Sequence, residues 1–328
     1  MPYFDFLSRR GLIGTALALA AGGALAQASA NWPTRPVKLV VAFAPGGTVD
    51  VVARHVAERL TPLLGQPVIV ENRPGAGGNL ATEAVLRSPP DGTQFLVAGS
   101  PTHAVNPHLF KLSYDPIGDM ASVALLGTAP NLLVVNPQLN VQSVRDLANL
   151  ARSKPGELSF SSAGNGTSGH LAGELFRKQA GVEVRHVPYK GQADALLGVM
   201  RGDVAFAFVT LAGTLQQVSS GRLKALAITS RARSPLAPDI PTVMESGIPD
   251  FEVLAWYSVS APKGTPPEAV DRLTRALGQV MKDPATLAKF ETLGAEPTFL
   301  SGASFVEFMK RDSDKWGRVI REAGVQVN

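Results

Sequence analysis

The sequence predicts an α/β fold arranged as two lobes, and three observations carry that reading. After Pro36, runs of branched apolar residues alternate with amphipathic helical stretches, the pattern of a parallel sheet with helices on both faces. A Gly-rich turn between a strand and a helix occurs twice, at 43–50 and at 161–170, once in each half of the chain. The chain has 328 residues and 45% apolar content, enough for one large domain or two moderate ones.

The elements follow in order. "VKLVVAF" (37–43) is a strand by its branched apolar run. The next helix starts near Val49, with Val52, Val56 and Leu60 on one face at i, i+4 and i+8. "PVIVEN" (67–72) is a second strand, "RPGAGGN" a tight turn, and Leu80 to Leu86 opens another helix. "TQFLVAGS" (93–100) is a third strand, ended by "SPTHAVNP".

A second α/β unit starts near Asn131. "NLLVVNP" is its first strand, and "VRDLANLARS" is a helix stopped before Pro155. "GELSFSS" is a strand, and "SGHLAGELFRKQAG" is a helix whose Gly181 suits a C-terminal cap. "EVRHVPY", "VAFAFV" and "LKALAITS" (223–230) are short strands. "FEVLAWYSVSAP" (251–262) is a strand expected to return to the first unit; within it Trp256 and Tyr257 fit either core packing or an aromatic wall. Three helices close the chain, after Pro266, over Pro284 to Leu293, and from Ser304 to Ala323. Two crossings, near Gly127–Asn131 and Pro249–Trp256, would join the lobes, and small ligands favour such a crevice.

The N-terminus is a leader rather than fold. Arg9 and Arg10 precede the weakly apolar "GLIGTALALAAGGALA", and "ASA" at 28–30 is a small-x-small cleavage site. Export by the twin-arginine or the general secretory route is expected, which puts the mature chain in the periplasm, starting near Asn31. The leader carries two arginines and one aspartate, so its loss takes the net charge from +4 to +3. No dense basic run gives nucleic acid a footprint, and the absence of cysteine rules out disulfide and thiolate chemistry.

The two turns are the candidate site. Unpaired N–H groups at a helix start, with the helix dipole, attract an anion, and glycines let it come close. No lysine or arginine lies between Phe43 and Val52. Two such starts facing each other would hold a carboxylate without cationic side chains. Thr48, Ser162, Thr167 and Ser168 add hydroxyls, and Asp50 suits the dipole of the first helix. Gly164, Gly166 and Gly169 spell a dinucleotide fingerprint, but the acidic residue it needs about twenty positions on is missing; Lys190 stands there. Neither turn is a Walker loop, no Gly-x-Ser-x-Gly elbow occurs, and the five histidines show no metal-ligand spacing. No cofactor and no metal are expected. For His170, a capping or cleft-lining role is favoured over catalysis.

"FAPGGTVDVVAR", "VENRPGAGGNLATEAV", "PDGTQFLVAG", "LLVVNP", "SSAGNGTSGHLAGELF", "HVPYKG", "GRLKALAITS" and "DIPTVMESG" occur in that order. Together they resemble the Bug family, extracytoplasmic solute receptors of tripartite tricarboxylate transporters, over essentially the whole mature chain. The resemblance implies a type II, flytrap-like binding protein, not an enzyme, that closes on a small organic carboxylate: mono-, di- or tricarboxylate, aromatic or amino acid. It would act as a monomer and deliver to a two-component membrane permease or to a receptor kinase. Carried over, the ligand loops are Phe43, Ala44, Pro45, Gly46, Gly47, Thr48 and Asp50, and Ser161, Ser162, Ala163, Gly164, Asn165, Gly166, Thr167 and His170. Ser100, Thr102 and Thr128 are lining residues by the same token. The implied division is an export signal at 1–30, lobe one at 31–128 plus 252–328, and lobe two at 129–251. Val209 and Thr210 stand where relatives carry an acid or amide, which counts against an amino acid unless Asp50 meets its ammonium. The rival readings are an exported α/β enzyme acting on a carboxylic acid and a binder of organic phosphates. The first needs a nucleophile–base pair, which the spacing does not show, and the second a cation, which neither loop carries.

Overall fold

The computed structural model describes residues 32–211 and 214–325. The predicted leader, 1–30, and the mature start at Asn31 lie outside the described residues. Strand β1 (Val37–Val41) leads into helix α1 (Thr48–Leu64), β2 (Val68–Asn72), α2 (Asn79–Leu86) and β3 (Gln94–Gly99). A π-turn at Pro101–Val105 runs into the short α3 (Asn106–Leu109). Then come β4 (Met120–Val135), α4 (Val144–Ser153), β5 (Ser159–Ser162), α5 (Ser168–Gln179), β6 (Arg185–Pro188), α6 (Gln192–Arg201), β7 (Phe206–Thr210), α7 (Leu215–Ser219) and β8 (Lys224–Ile228). The chain closes with β9 (Leu254–Pro262), α8 (Pro267–Val280), α9 (Pro284–Thr292), β10 (Glu296–Ser301) and α10 (Gly302–Ala323).

The strands run β2-β1-β3-β9-β4-β7-β5-β6, with β10 and β8 also on β4. β1 pairs in parallel with β2 and β3, and β5 with β6 and β7. β4 and β9 are antiparallel to their neighbours, so the sheet is mixed rather than parallel throughout. The cause is β4, a strand of 16 residues that serves both halves. Met120–Pro130 pairs with β9, and Asn131–Val135 pairs with β7 and β8. The strand expected to begin at Asn131 is therefore the second part of a longer one. β9 returns to the first half as expected, with Gly99 opposite Tyr257. Gly127 has to be glycine: a Cβ there would lie 2.4 Å from Phe290 Cε1 and 2.8 Å from Glu296 O, where β10 closes on β4.

Each half has its own core. Val52, Val56 and Leu60 of α1 pack with Leu39, Val41 and Phe95 and with Leu273 and Leu277 of α8. In the second half, α4 and α5 bury Leu147, Leu171 and Phe176 against Phe160, Phe206 and Phe208. α10 adds Phe305, Met309, Trp316 and Ile320 to that second core, and Lys178 pairs with Glu322. Trp256 belongs to the core: its Nε1–H donates to Asp312 Oδ2 at 2.8 Å, and its ring stacks on His103 with centroids 5.7 Å apart.

Candidate functional site

The first turn leaves β1 and reaches α1 in six residues. Gly46 takes a left-handed φ of 82°, which favours glycine. Asp50, in the first turn of α1 and almost wholly buried, braces this path. Its carboxylate accepts from Gly46 N–H at 2.9 Å, Arg54 Nε at 3.0 Å and Asn72 Nδ2 at 2.8 Å. Asn72 also donates to Phe43 O at 3.1 Å, so the end of β2 holds both ends of the turn. Burial pushes the Asp50 carboxyl up, and these donors more than offset it, leaving it below the ordinary carboxylate value. The helical ladder begins with Val51 N–H donating to Gly47 O, so the Thr48, Val49 and Asp50 amides have no acceptor within the helix. Thr48 meets the hydroxyl of the buried Tyr257 from β9. Ala44 and Pro45 are exposed, while Phe43 packs beside Val40, Ala42 and Leu96.

The second turn is braced differently. Ser162 Oγ accepts from Gly164 N–H at 3.1 Å and lies 2.7 Å from His186 Nε2. Thr167 caps α5, accepting from His170 N–H at 3.5 Å and donating to Gly164 O at 2.7 Å. Gly166 N–H donates to His170 Nδ1 at 3.1 Å, which makes Nδ1 the bare nitrogen and puts the ring proton on Nε2. The rings of His170 and His186 stack with centroids 4.0 Å apart. Burial pushes His170 down to about 4, and burial together with the neighbouring His170 takes His186 to about 3. Both are neutral at pH 7. Ser161 is buried and donates to Ala195 O at 2.9 Å, tying β5 to α6. Ser168 Oγ donates to Asn131 Oδ1 at 3.2 Å, and Asn131 Nδ2 is buried without an acceptor among the described residues.

The first turn opens onto a groove of about 610 Å³. Gly46, Gly47 and Thr48 form one wall; Gln192, Ala193 and Asp194 at the start of α6, with Leu197, Met200, Thr210 and Gln217, form the other. A Cβ on Gly166 would sit 3.5 Å from Leu109 Cδ1 and 3.8 Å from Val105 Cγ1, and Gly164 adjoins Tyr189 O. Asn165 and His170 line a separate hollow of about 330 Å³ with Glu174, Arg177 and His186. The first turn thus shares a groove with the start of α6, and the second packs beside residues 105–109. Ala163 and Thr167 are half-buried within the second turn. Ser100 is buried at the start of the π-turn, and Thr102 Oγ1 is buried without a partner beneath Gly78, where a Cβ would come within 2.7 Å. Thr128 is nearly buried on β4, opposite Trp256 and Glu296.

The sequence reading missed the opposite wall. "YKGQAD" is another strand–glycine–helix turn, with Gly191 directly before α6, and that signal was open to view. Of the pair singled out beside it, Thr210 lines the groove and hydrogen-bonds Gln192, whereas Val209 is buried against α6. Asp50, considered as an ammonium partner, already accepts three hydrogen bonds. Among the described residues lining the groove, Asp194 alone is charged. Among the described residues, no cluster of three or more His, Asp or Glu could hold a metal, and no helix is long and apolar enough to cross a membrane.

Comparison with known proteins places this geometry. BugT of Bordetella pertussis (strain Tohama I) is 36% identical over 312 residues, covering 94% of this chain and 96% of BugT. The solved structure of R. palustris Rpa4515 with adipate superposes with a TM-score of 0.82 at 36% identity, over 90% of this chain and 99% of that one. MatC (Rpa3494) from Rhodopseudomonas palustris with bound malate gives a TM-score of 0.77 at 31% identity, over 88% and 100%. The fold is the two-lobe, flytrap-like binding-protein fold. The sequence profile of the "Tripartite tricarboxylate transporter family receptor" matches residues 52–325, and the chain belongs to that family of receptors.

Proposed function

We propose that this protein is a periplasmic receptor that captures a small carboxylate-bearing solute in the groove between the first turn and the start of α6, without chemical conversion. The observation that carries this reading is the trio of amides at Thr48, Val49 and Asp50, unpaired within α1, behind Gly46 and Gly47 on a groove of about 610 Å³. A carboxylate there accepts from fixed N–H donors at the positive end of a helix of 17 residues. Thr48 and Thr210 offer hydroxyls on the two walls. That two relatives of known structure hold adipate and malate supports an organic acid as the cargo.

Lobe one comprises 31–128 and 252–328, lobe two 129–251, and the hinge strands are β4 near Gly127–Asn131 and the entry to β9. A solute that bridges the walls binds the closed form better than the open one. To swing the population from 1:99 to 99:1 that preference must reach about 10⁴-fold. The closed form, as a monomer, is what a two-component permease of the tripartite tricarboxylate type reads. The test is a thermal-shift screen of the mature protein against mono-, di-, tri- and amino-carboxylates. At least one acid raises the melting temperature by mass action. A flat response across the whole panel, adipate and malate included, sinks the proposal.

A further inference from the structure

The lining of the groove says more than "carboxylate". The acid that a cationic solute group would have met in the first turn, Asp50, is buried and already accepts from Gly46, Arg54 and Asn72. The opposite wall carries a different acid. Asp194 stands in the first turn of α6, exposed, and pairs with no lysine or arginine among the described residues. Its place near a helix start suits the dipole by itself. On the same groove, Gln217 Oε1 is buried and has no donor among the described residues. A buried acceptor without a donor costs free energy that a bound donor returns. Two acceptors, one of them charged, thus share a wall with the apolar side chains of Leu197 and Met200. Facing them, the first turn presents N–H groups.

Resting on the reading above of this groove as the solute site, we infer that the cargo carries one carboxylate and, at its far end, a protonated amine, and that Asp194 selects it against dicarboxylates. The carboxylate lies on the Thr48–Asp50 amides. The methylene chain runs along Leu197 and Met200, and the ammonium reaches Asp194 and Gln217. A second carboxylate in that place meets like charge and an acceptor that cannot donate. A methyl group there leaves Gln217 Oε1 unsatisfied and gains nothing from Asp194.

Three six-carbon acids that differ only at the far end test this: 6-aminohexanoate, hexanoate and adipate. Titration calorimetry on the wild-type protein is expected to rank 6-aminohexanoate tightest and adipate weakest, with about fivefold between successive acids, the size of one partly exposed charge interaction. In Asp194→Asn, 6-aminohexanoate falls to the level of hexanoate, adipate tightens, and hexanoate stays within about twofold, with an unchanged melting temperature showing that the fold is intact. Adipate binding tightest to the wild type, an unaltered ranking in Asp194→Asn, or no binding of 6-aminohexanoate by a protein that other acids stabilise each overturns the inference and leaves the carboxylate reading standing. No stabilisation by any acid of the panel overturns both.

Discussion

The turns at 43–50 and 161–170 share one plan of strand, glycines and helix, yet opposite chemistries hold them in shape. In the first, a buried carboxylate gathers three donors, Gly46 N–H, Arg54 and Asn72. In the second, neutral imidazoles do the bracing: His170 accepts from Gly166 N–H, and His186 stacks on it and reaches Ser162. The glycines differ too. Gly47 stands in open space, with Ala44 O 3.5 Å from where a Cβ would be, whereas at Gly169 a Cβ would fall 2.2 Å from Phe208 O. The first turn is an open loop on a carboxylate bracket, and the second is wedged between β7 and the start of α5. Similar local sequence therefore does not imply similar tolerance.

The largest expected effect follows from that wedge. Gly169→Ala places a methyl group against a backbone carbonyl that β7 fixes, and should cost about 3 kcal/mol of folding stability, read by chemical denaturation. Gly47→Ala keeps an extended φ of −73° and should stay within about 1 kcal/mol of the parent. Equal losses in the two variants would erase the distinction between the turns.

Next in size is the bracket of the first turn. Asp50→Ala strands Gly46 N–H and Asn72 and should cost about 2 kcal/mol, because hydrogen bonds to a charged group are among the stronger ones. It should also lower the affinity for any acid found in the screen at least tenfold, since the amides it positions are the proposed anchor. Full affinity in Asp50→Ala would mean that the turn holds its shape without the carboxylate.

How much of this was legible beforehand divides along the same line. The spacing of Val52, Val56 and Leu60 gave helix α1, and the alternation gave the α/β class, because both are local patterns. The length of β4 was not legible. Met120–Pro130 includes Gly127 and Pro130, poor strand formers, and is extended because β9 and β10 pair with it from more than a hundred residues away. The glycine turns were visible, but what braces each one was not: Asn72 reaches Asp50 from 22 residues on, and His186 meets Ser162 from 24 residues on. Which walls face each other is also a tertiary fact. The first turn shares its groove with "GQAD" at the start of α6, a neighbour that no local pattern announces.

Acid separates the two braces by pH. Burial holds His170 down at about 4 and, with the His170 charge, His186 at about 3, against 6.5 for an exposed imidazole. The unfolded chain therefore binds protons before the folded one does, so this part of the stability is complete above pH 6.5 and drains away as the pH falls toward 4. Arg177 and Glu174 line the same hollow, and Lys178 pairs with Glu322. Asp50 starts to protonate only below its ordinary value of 3.8, so the first turn should keep its brace through the same range. Amide exchange at pH 5 against pH 7 should show Gly164–His170 losing protection, after correction for intrinsic rates, while Gly46–Asp50 stays constant. His186→Asn should flatten the decline of the melting temperature over pH 6.5–4. A parallel decline in parent and variant would show that the pair is not the acid-sensitive element.

The smallest effect sharpens the first turn alone. Thr48→Val keeps the shape of the side chain and removes a hydroxyl that meets Tyr257 and faces the groove. One neutral hydrogen bond is worth about 1 kcal/mol, so the affinity for an acid identified in the screen should weaken about threefold to fivefold. The helix-start amides do not depend on this side chain, and Asp50 still holds Gly46. The loss should appear as faster release, together with about 1 kcal/mol of folding stability for the buried Tyr257 hydroxyl that loses Thr48. A loss beyond a hundredfold would move the anchor from the backbone amides to the Thr48 hydroxyl, and with it the reason the turn needs no lysine or arginine.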